Sequence, residues 1–575
     1  MKRYLSYKDE MKRLEDMLRD IPTDEESINE EDEEINDDEI FSEHNSSSED
    51  DLDSDEDLYE STDILSQNCY VGKDGTKWSK IKNRQNVRIP SHNVILKLPG
   101  NIGDAKKVSS VLDSWQLLID DSILLNIVAC TNKFIETIAH NFDRDRDAKE
   151  TSIIEIKALI GLLYFGGLHK SSHVNVKDLW ATDGTGLDIF RRTMSQKRFL
   201  FLLRCLRFDD ITDRAERRQT DKLAPIRGMF ESFVSNCQNC YTVGEYITID
   251  EKLEAFRGRC SFRQYIPNKP AKYGIKVFAL VDSRTFYTWN LEIYAGKQPD
   301  GPYKTNNSGD EIVKKLTEKL ANSGRNLTVD NWYTSYNLAK DLLKKKITLV
   351  GTIRKNKREL LKEFTTGKNR GVHSSLFGFQ KHMTLVSYVP KKNKCVNVIS
   401  TMHYDDSIDP STGDAKKPEI ITFYNLTKGA VDVVDEMSAN FSTARISKRW
   451  PMVVFFSVLN TAAINARVLL LSAKSQTAVK SRRHFLKELA LELIKEQIQE
   501  RSTQLSLPRK LRQQLIEHCS PSQDSEPPKK LQKCSQKKRC HICPSKKRRK
   551  SAICCTRCNK NICSEHTIYI CKECE

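Results

Sequence analysis

Between Glu245 and Arg354 the hydrophobic pattern changes period in one fixed order, and that order limits what the chain can fold into. EYITID alternates like a short strand, and IKVFALVD (275–282) and FYTWNLEIYAG (286–296) follow as two more. GDEIVKKLTEKLAN then has helical spacing, NLTVD that of a strand, SYNLAKDLLKKK that of a helix and ITLVGTIR that of a strand. Three strands, helix, strand, helix, strand predicts an α/β domain built on one sheet. The first and the fourth strand each end in an aspartate, Asp250 and Asp330.

That succession is the order of a ribonuclease H-like sheet, in which the first and fourth strands lie side by side. Asp250 would then meet Asp330. In such a fold a further carboxylate comes from a later helix. After an expected strand ITFYN, the segment AVDVVDEM sets Asp432 and Asp435 at i and i+3, on one helical face. Aspartate in a first helical turn can simply complement the helix dipole, worth about 0.3–1 kcal/mol. The matching placement of Asp250 and Asp330 favours a shared site instead. Hard carboxylate oxygens suit Mg²⁺ (or Mn²⁺), and two such ions support phosphoryl transfer.

Charge is segregated along the 575 residues. Residues 1–70 carry 26 acidic against 6 basic side chains, and the rest carries 52 acidic against 87 basic. The body is thus strongly cationic, which favours a polyanionic partner through counterion release. From Ile21 to Gly72 there is no Lys or Arg, so residues 1–74 are expected as a disordered acidic tail. No run of 18 uninterrupted apolar residues occurs and the first residues lack a secretory leader, so no membrane association is expected, and the cytosol or nucleus is. Long helices are expected in WQLLIDDSILLNIVACTNKFIETIA, ETSIIEIKALIGLLYFGGL and SQKRFLFLLRCLRF. Lys197, Arg198, Arg204 and Arg207 on the last are candidates for phosphate contact or a merely solvated face. PMVVFFSVLNTAAINARVLLLSA, too polar at Asn460, Asn465 and Arg467 for a membrane span, and HFLKELALELIKEQIQ are expected to pack on those helices.

Nine of the 17 cysteines fall between Cys534 and Cys574. Cys540-x2-Cys543, Cys555-x2-Cys558, Cys563-x2-His566 and Cys571-x2-Cys574 offer eight ligands, enough for two tetrahedral Zn²⁺ sites. Spacing leaves cross-brace and sequential pairing open. Cys237-x2-Cys240 lacks a second pair and reads as structural. Basic residues flanking the first pair, Lys537 to Arg539 and Lys546 to Lys550, could contact DNA and serve as a nuclear import signal.

From about residue 75 onward the chain resembles the piggyBac-family transposases. The resemblance rests on IDEKLEAFRGRCSFRQYIPNKPAKYGIKVFAL, VDNWYTS, GTIRKNKRE, YNLTKGAVDVVDEM, KRWPMVVF and the terminal Cys/His cluster, in that order. It implies a catalytic triad Asp250, Asp330 and Asp432 holding Mg²⁺, with Asp435 as an additional essential aspartate. It further implies that Trp450 lies near target bases and that Arg354 and Lys357 contact target DNA. Ala430 stands where the family often has a second glycine.

The implied organisation is a tail (1–74), a helical dimerisation and DNA-binding region (75–245 and 443–518) and a ribonuclease H-like catalytic domain (246–354 and 421–442). An insertion domain (355–420), a linker (519–536) and a cross-brace zinc module (537–575) complete it. The implied activity is cut-and-paste transposition of double-stranded DNA through hairpin ends at TTAA targets, by a nuclear homodimer. The alternatives are a domesticated sequence-specific DNA-binding protein without mobilising activity, and a protein-interaction role for the zinc module.

Overall fold

The alternating segments pair into one mixed sheet of eleven strands in the computed structural model. The structure describes residues 68–82, 91–267, 269–473, 481–519 and, from 533 to 565, all but 545–546, 548, 554–559, 562 and 564. Most of the acidic tail, and Cys555, Cys558, His566, Cys571 and Cys574, lie outside the described residues. The chain divides into two compact units, the first ending at Arg501 and the second beginning at Ser502.

In chain order the sheet strands are β1 (Cys69–Val71), β2 (Lys77–Ser79), β3 (Tyr246–Ala255), β4 (Gln264–Tyr265), β5 (Tyr273–Asp282) and β6 (Thr288–Ile293). They continue with β7 (Asn326–Val329), β8 (Thr348–Thr352), β9 (Ser375–Gln380), β10 (Met383–Lys391) and β11 (Lys394–Ser400). Their spatial order is β1-β2-β9-β10-β11-β8-β7-β3-β5-β4, with β6 also on β5. β3 runs antiparallel to β5 but parallel to β7, which in turn is parallel to β8. The two parallel connections carry the helices Gly309–Thr317 and Tyr336–Lys344, as a crossover between parallel strands requires. β5 is buried almost throughout, so it reads as a nearly continuous apolar run rather than strict alternation, and the short β7 is buried on both faces.

The segment expected as an insertion extends the central sheet, because β11 pairs antiparallel with β8 through Val350 and Ser400. One finding about the sheet differs from the sequence reading. Regular structure begins before residue 74. The hairpin β1–β2 joins β9 at Ser79 and Phe379, the Trp78 ring is fully buried, and Tyr70 meets Phe364 edge-on at 5.3 Å. Tyr70 and Trp78, just after the acidic stretch, supply ring contacts that hold this hairpin on the sheet.

Around the sheet, the helix Trp450–Ala473 is long and apolar enough to cross a membrane, as is Asp121–Asn141 with its short continuation. The first of these is 83% buried inside the protein, and Asn460 and Asn465 spend their amides on Thr443 and Thr288. It is therefore a core helix. It packs against the helix Val111–Gln116, and the Tyr164 hydroxyl of the helix Ile153–Leu168 donates to its Leu459 carbonyl at 2.8 Å. Arg198 is structural: its guanidinium grips Glu155 at 2.6 and 2.8 Å and the carbonyls of Lys149 and Glu150. Cys237 is buried against Asn465, in line with a structural role.

Candidate active site

β3 and β7 are in register from Tyr246 opposite Asn326 to Ile249 opposite Val329. Asp250 and Asp330 are therefore the next residues in step on neighbouring parallel strands. β7 stops because the Asp330 carboxylate folds the chain back, accepting the amides of Trp332 at 2.9 Å and Tyr333 at 3.4 Å. Asp250 accepts the Glu251 amide at 2.8 Å.

A segment expected as a strand, ITFYN, is instead part of the helix Glu419–Thr427. Pro418 precedes its first turn, and Ile420, Ile421, Phe423, Tyr424 and Thr427 make one buried face, a 3.6-residue pattern that a five-residue window hides. Thr427 at its end ties the site together. Its carbonyl accepts the Thr248 hydroxyl at 2.6 Å, and its hydroxyl bonds that of Thr328 at 2.7 Å. Both strands are thus fastened to the point from which the next helix, Ala430–Asn440, departs.

That helix buries Ala430, Val431, Val434 and Ser438 and lies across β3 and β5. Asp432 in its first turn stays exposed, with Oδ1 3.2 Å from Lys269 Nζ. Asp435, one turn on, is half-buried and lies 3.4 Å from Lys252 Nζ, which also reaches Glu254 at 3.3 Å. The Lys252 side chain is only 1% exposed.

Burial, and then the charges of Glu251, Asp330 and Asp432, raise the Asp250 pKa well above the ordinary carboxylate value. Burial and Glu251 likewise push Asp330 up to about 6, against the two amides and Lys276. Burial pushes Asp435 up to about 6 although Lys252 opposes it. Asp250 therefore stands in a surrounding made negative by Glu251, Asp330 and Asp432, while Asp435 faces Lys252. A site with this surplus of hard oxygen donors fits a divalent cation. The oxygens are not gathered into one close threesome: among the described residues, Cys540, Cys543 and Cys563 are the group whose ligand atoms all lie within 4.8 Å of one another.

Sequence reasoning passed over Glu251, Lys252, Lys269, Lys276 and Tyr333. Glu251 is buried, 3.4 Å from the Tyr333 hydroxyl and 3.9 Å from Lys276 Nζ, which lies over the Phe278 and Trp332 rings. The signal was available in IDEKLEA, where Asp250, Lys252 and Glu254 share one face of an otherwise apolar strand.

Arg354 and Lys357 lie on the turn just past β8, at the same end of the parallel strands as Asp330. Trp450 opens the core helix, its ring edge-on to Phe262 at 5.0 Å, and borders a cleft of about 330 Å³. Arg207, Arg214, Arg218, Arg259, Lys448 and Arg449 line that cleft without a carboxylate among the lining residues. Burial and the neighbouring Arg449 and Arg214 lower Arg207 to about 9, and burial with Arg214 lowers Arg449 to about 10. Such crowding of like charge is relieved by an anion.

In the second unit, Cys543 and Cys563 sulfurs are 3.6 Å apart and the Cys563 amide donates to Cys540 Sγ at 3.3 Å. The first cysteine pair is thus beside the first member of the third. Three thiols at this spacing suit a tetrahedral soft-ligand ion.

A family model described as Transposase IS4 matches residues 112–467, well over half the chain. Among curated human proteins, piggyBac transposable element-derived protein 3 is 22% identical over 267 residues, covering 43% of this chain and 44% of that protein. PiggyBac transposable element-derived protein 5 is 21% identical over 406 residues, covering 67% and 76%. The chain thus spans less than half the length of the former relative. A solved piggyBac transposase synaptic complex with hairpin DNA is 36% identical with a TM-score of 0.69, covering 83% of this chain and all of that one.

Proposed function

Because this chain belongs to the piggyBac-type transposases, we propose that it cuts and rejoins double-stranded DNA at the cluster of Asp250, Asp330 and Asp432. The observation that carries this reading is the register of β3 and β7, which sets Asp250 within β3 in step with Asp330 just past β7, under the helix that brings Asp432. The order β6-β5-β3-β7-β8 supports a ribonuclease H-like core, with β9 to β11 as material added at its edge.

Asp250, Asp330 and Asp432 would hold Mg²⁺ or Mn²⁺, which supplies Lewis-acid activation of a water or 3′-OH and stabilises the leaving oxygen. The chain's own residues set the geometry. Thr427 fixes both strand ends relative to the last helix. Asp435 acts through Lys252, clamping that helix to β3. Arg354, Lys357 and Trp450, with the cationic cleft, would position the DNA backbone and target bases. Hairpin ends and a TTAA target are part of this reading, and the hairpin DNA held by the solved relative supports the first of them. A homodimer acting in the nucleus is part of the same reading. The cysteines of the second unit would hold two Zn²⁺ in a cross-brace, which the approach of Cys563 to the first pair supports.

A DNA-binding protein without mobilising activity is the second reading, since two relatives are named as transposable element-derived. Asp330→Asn separates the possibilities. Wild type should nick DNA carrying the flanks of its own coding region with Mg²⁺, and the variant should bind but not nick. Equal nicking by the variant overturns the catalytic assignment, and binding without nicking by wild type selects the second reading.

A further inference from the structure

Lys269 sits where a cation is wanted. It lies in the turn between β4 and β5, and that turn is closed on itself. The Lys269 amide donates to the Ile266 carbonyl at 3.3 Å, the Lys272 amide to the Lys269 carbonyl at 2.9 Å, and the Ile266 amide to the Lys272 carbonyl at 2.8 Å. Pro267 and Pro270 stiffen it further. The backbone is therefore held on both sides, and the ammonium is aimed at Asp432 Oδ1 at 3.2 Å. Its side chain is 22% exposed, against 62% for Asp432.

The other cations near the cluster contact other groups, while the charges of Asp432 and Asp250 still reach Lys428 and those of Asp330 and Asp250 reach Lys276. Lys252 bridges Glu254 and Asp435, and Lys276 lies by Glu251 between two rings. Lys428, just before the helix, lies over the Tyr424 ring. Among the described residues Lys269 is the cation within ion-pair distance of Asp432. Asp432 is also the carboxylate that a divalent ion would need. An ammonium and a metal ion cannot share the same oxygen lone pairs without repelling each other.

Resting on the reading of the aspartates as a metal site, we propose that Lys269 is the resident counter-ion of the metal-free cluster. It holds Asp432 until a divalent cation displaces it, and the freed ammonium is then available to a phosphate oxygen of the DNA strand. This assigns Lys269 a role in the order of assembly. Without metal the lysine belongs to the carboxylates, and with metal it belongs to the DNA.

The test measures Mn²⁺ affinity by titration calorimetry or electron paramagnetic resonance for wild type, Lys269→Ala, Lys269→Arg and Asp250→Asn. Loss of the competing charge should tighten Mn²⁺ binding by about tenfold in Lys269→Ala. Lys269→Arg should stay near wild type. Metal-free Lys269→Ala should also melt below wild type, and this difference should close on adding Mn²⁺. Affinity for a 30-base-pair duplex should fall in Lys269→Ala more with Mn²⁺ present than without it. Unchanged or weaker Mn²⁺ binding in Lys269→Ala, with wild-type binding that Asp250→Asn abolishes, overturns the counter-ion role while leaving the metal site intact. A DNA loss independent of metal overturns the release step. Wild-type Mn²⁺ binding that Asp250→Asn does not change removes the metal-site reading and the inference with it.

Discussion

Replacing a proposed catalytic carboxylate should make the metal-free protein more stable. Asp330 ionises near its ordinary 3.8 when unfolded but near 6 when folded, since burial and Glu251 disfavour the charge. Between those values the folded state holds a proton that the unfolded state has released. Stability therefore falls as pH rises from about 4 to about 6, and the penalty is fully present above that window. A shift of this size corresponds to about 3 kcal/mol at neutral pH. Asp330 is partly open to solvent, and an amide oxygen accepts the Trp332 and Tyr333 amides less strongly than a carboxylate does. The net gain for Asp330→Asn should then be about 1–2 kcal/mol at pH 7.5, shrinking toward zero by pH 4.

The assay is thermal or urea unfolding of metal-free wild type and Asp330→Asn at pH 4 and pH 7.5, repeated with Mg²⁺. Mg²⁺ should stabilise wild type more than the variant, because binding energy adds only to the form that holds the ion. Asp435→Asn is the internal control. Its carboxyl is also pushed up to about 6, yet removing its charge strips a partner from Lys252, which is 1% exposed. That variant should gain less than Asp330→Asn at pH 7.5, because the lost ion pair with Lys252 offsets part of the relieved burial penalty. If Asp330→Asn is no more stable than wild type at pH 7.5, or if its gain is the same at pH 4, the carboxylates are not in electrostatic conflict and the argument fails.

Arg259→Ala, in the cleft beside Trp450, should weaken DNA binding and reduce the slope of log affinity against log salt by about 1, read by titrations at several ionic strengths. Arg198→Ala should leave that slope unchanged and instead lower stability by about 2–3 kcal/mol in denaturant unfolding, since it breaks a two-pronged bond to Glu155. Metal analysis should find about two zinc ions per chain, and Cys540→Ser should lose at least one of them if Cys543 and Cys563 share its site.

Much of the site could be read from the sequence because alternation is a local signal, although β3 runs on past Asp250 to Ala255 and only β7 stops beside its aspartate. Asp250 and Asp330 needed only the order of elements to be placed side by side. Asp432 and Asp435 needed only helical spacing. What stayed hidden depends on partners far along the chain. Lys252 looks like a solvated strand lysine until Asp435, from a distant helix, covers it. Lys269 reads as one basic residue among many in a turn. The joining of β11 to β8 could not be read at all, since edge strands carry no local mark of which neighbour they will find. ITFYN was misread for the reason that a five-residue segment with three apolar or aromatic side chains satisfies either period.

The hidden residues are the ones that solve the physical difficulty of the visible ones. Asp250 is disfavoured as an anion by Asp330 and Asp432, and nothing in the strands alone fixes where the helix sets Asp432. Thr427 meets this with two short hydrogen bonds that join β3, β7 and the approach to the last helix. Lys252 meets it again one turn further along, turning a half-buried aspartate into a clamp. Both anchors lie beneath the cluster rather than in it, so they persist whether Asp432 faces an ammonium or a metal ion. Thr427→Val would keep the backbone bond from Thr248 and lose the hydroxyl bond to Thr328. If the anchor sets the alignment of Asp432, that variant should retain most of its stability, within about 1–2 kcal/mol, but lose cleavage rate and Mn²⁺ affinity together. If it loses neither, the strand ends are aligned by the sheet alone.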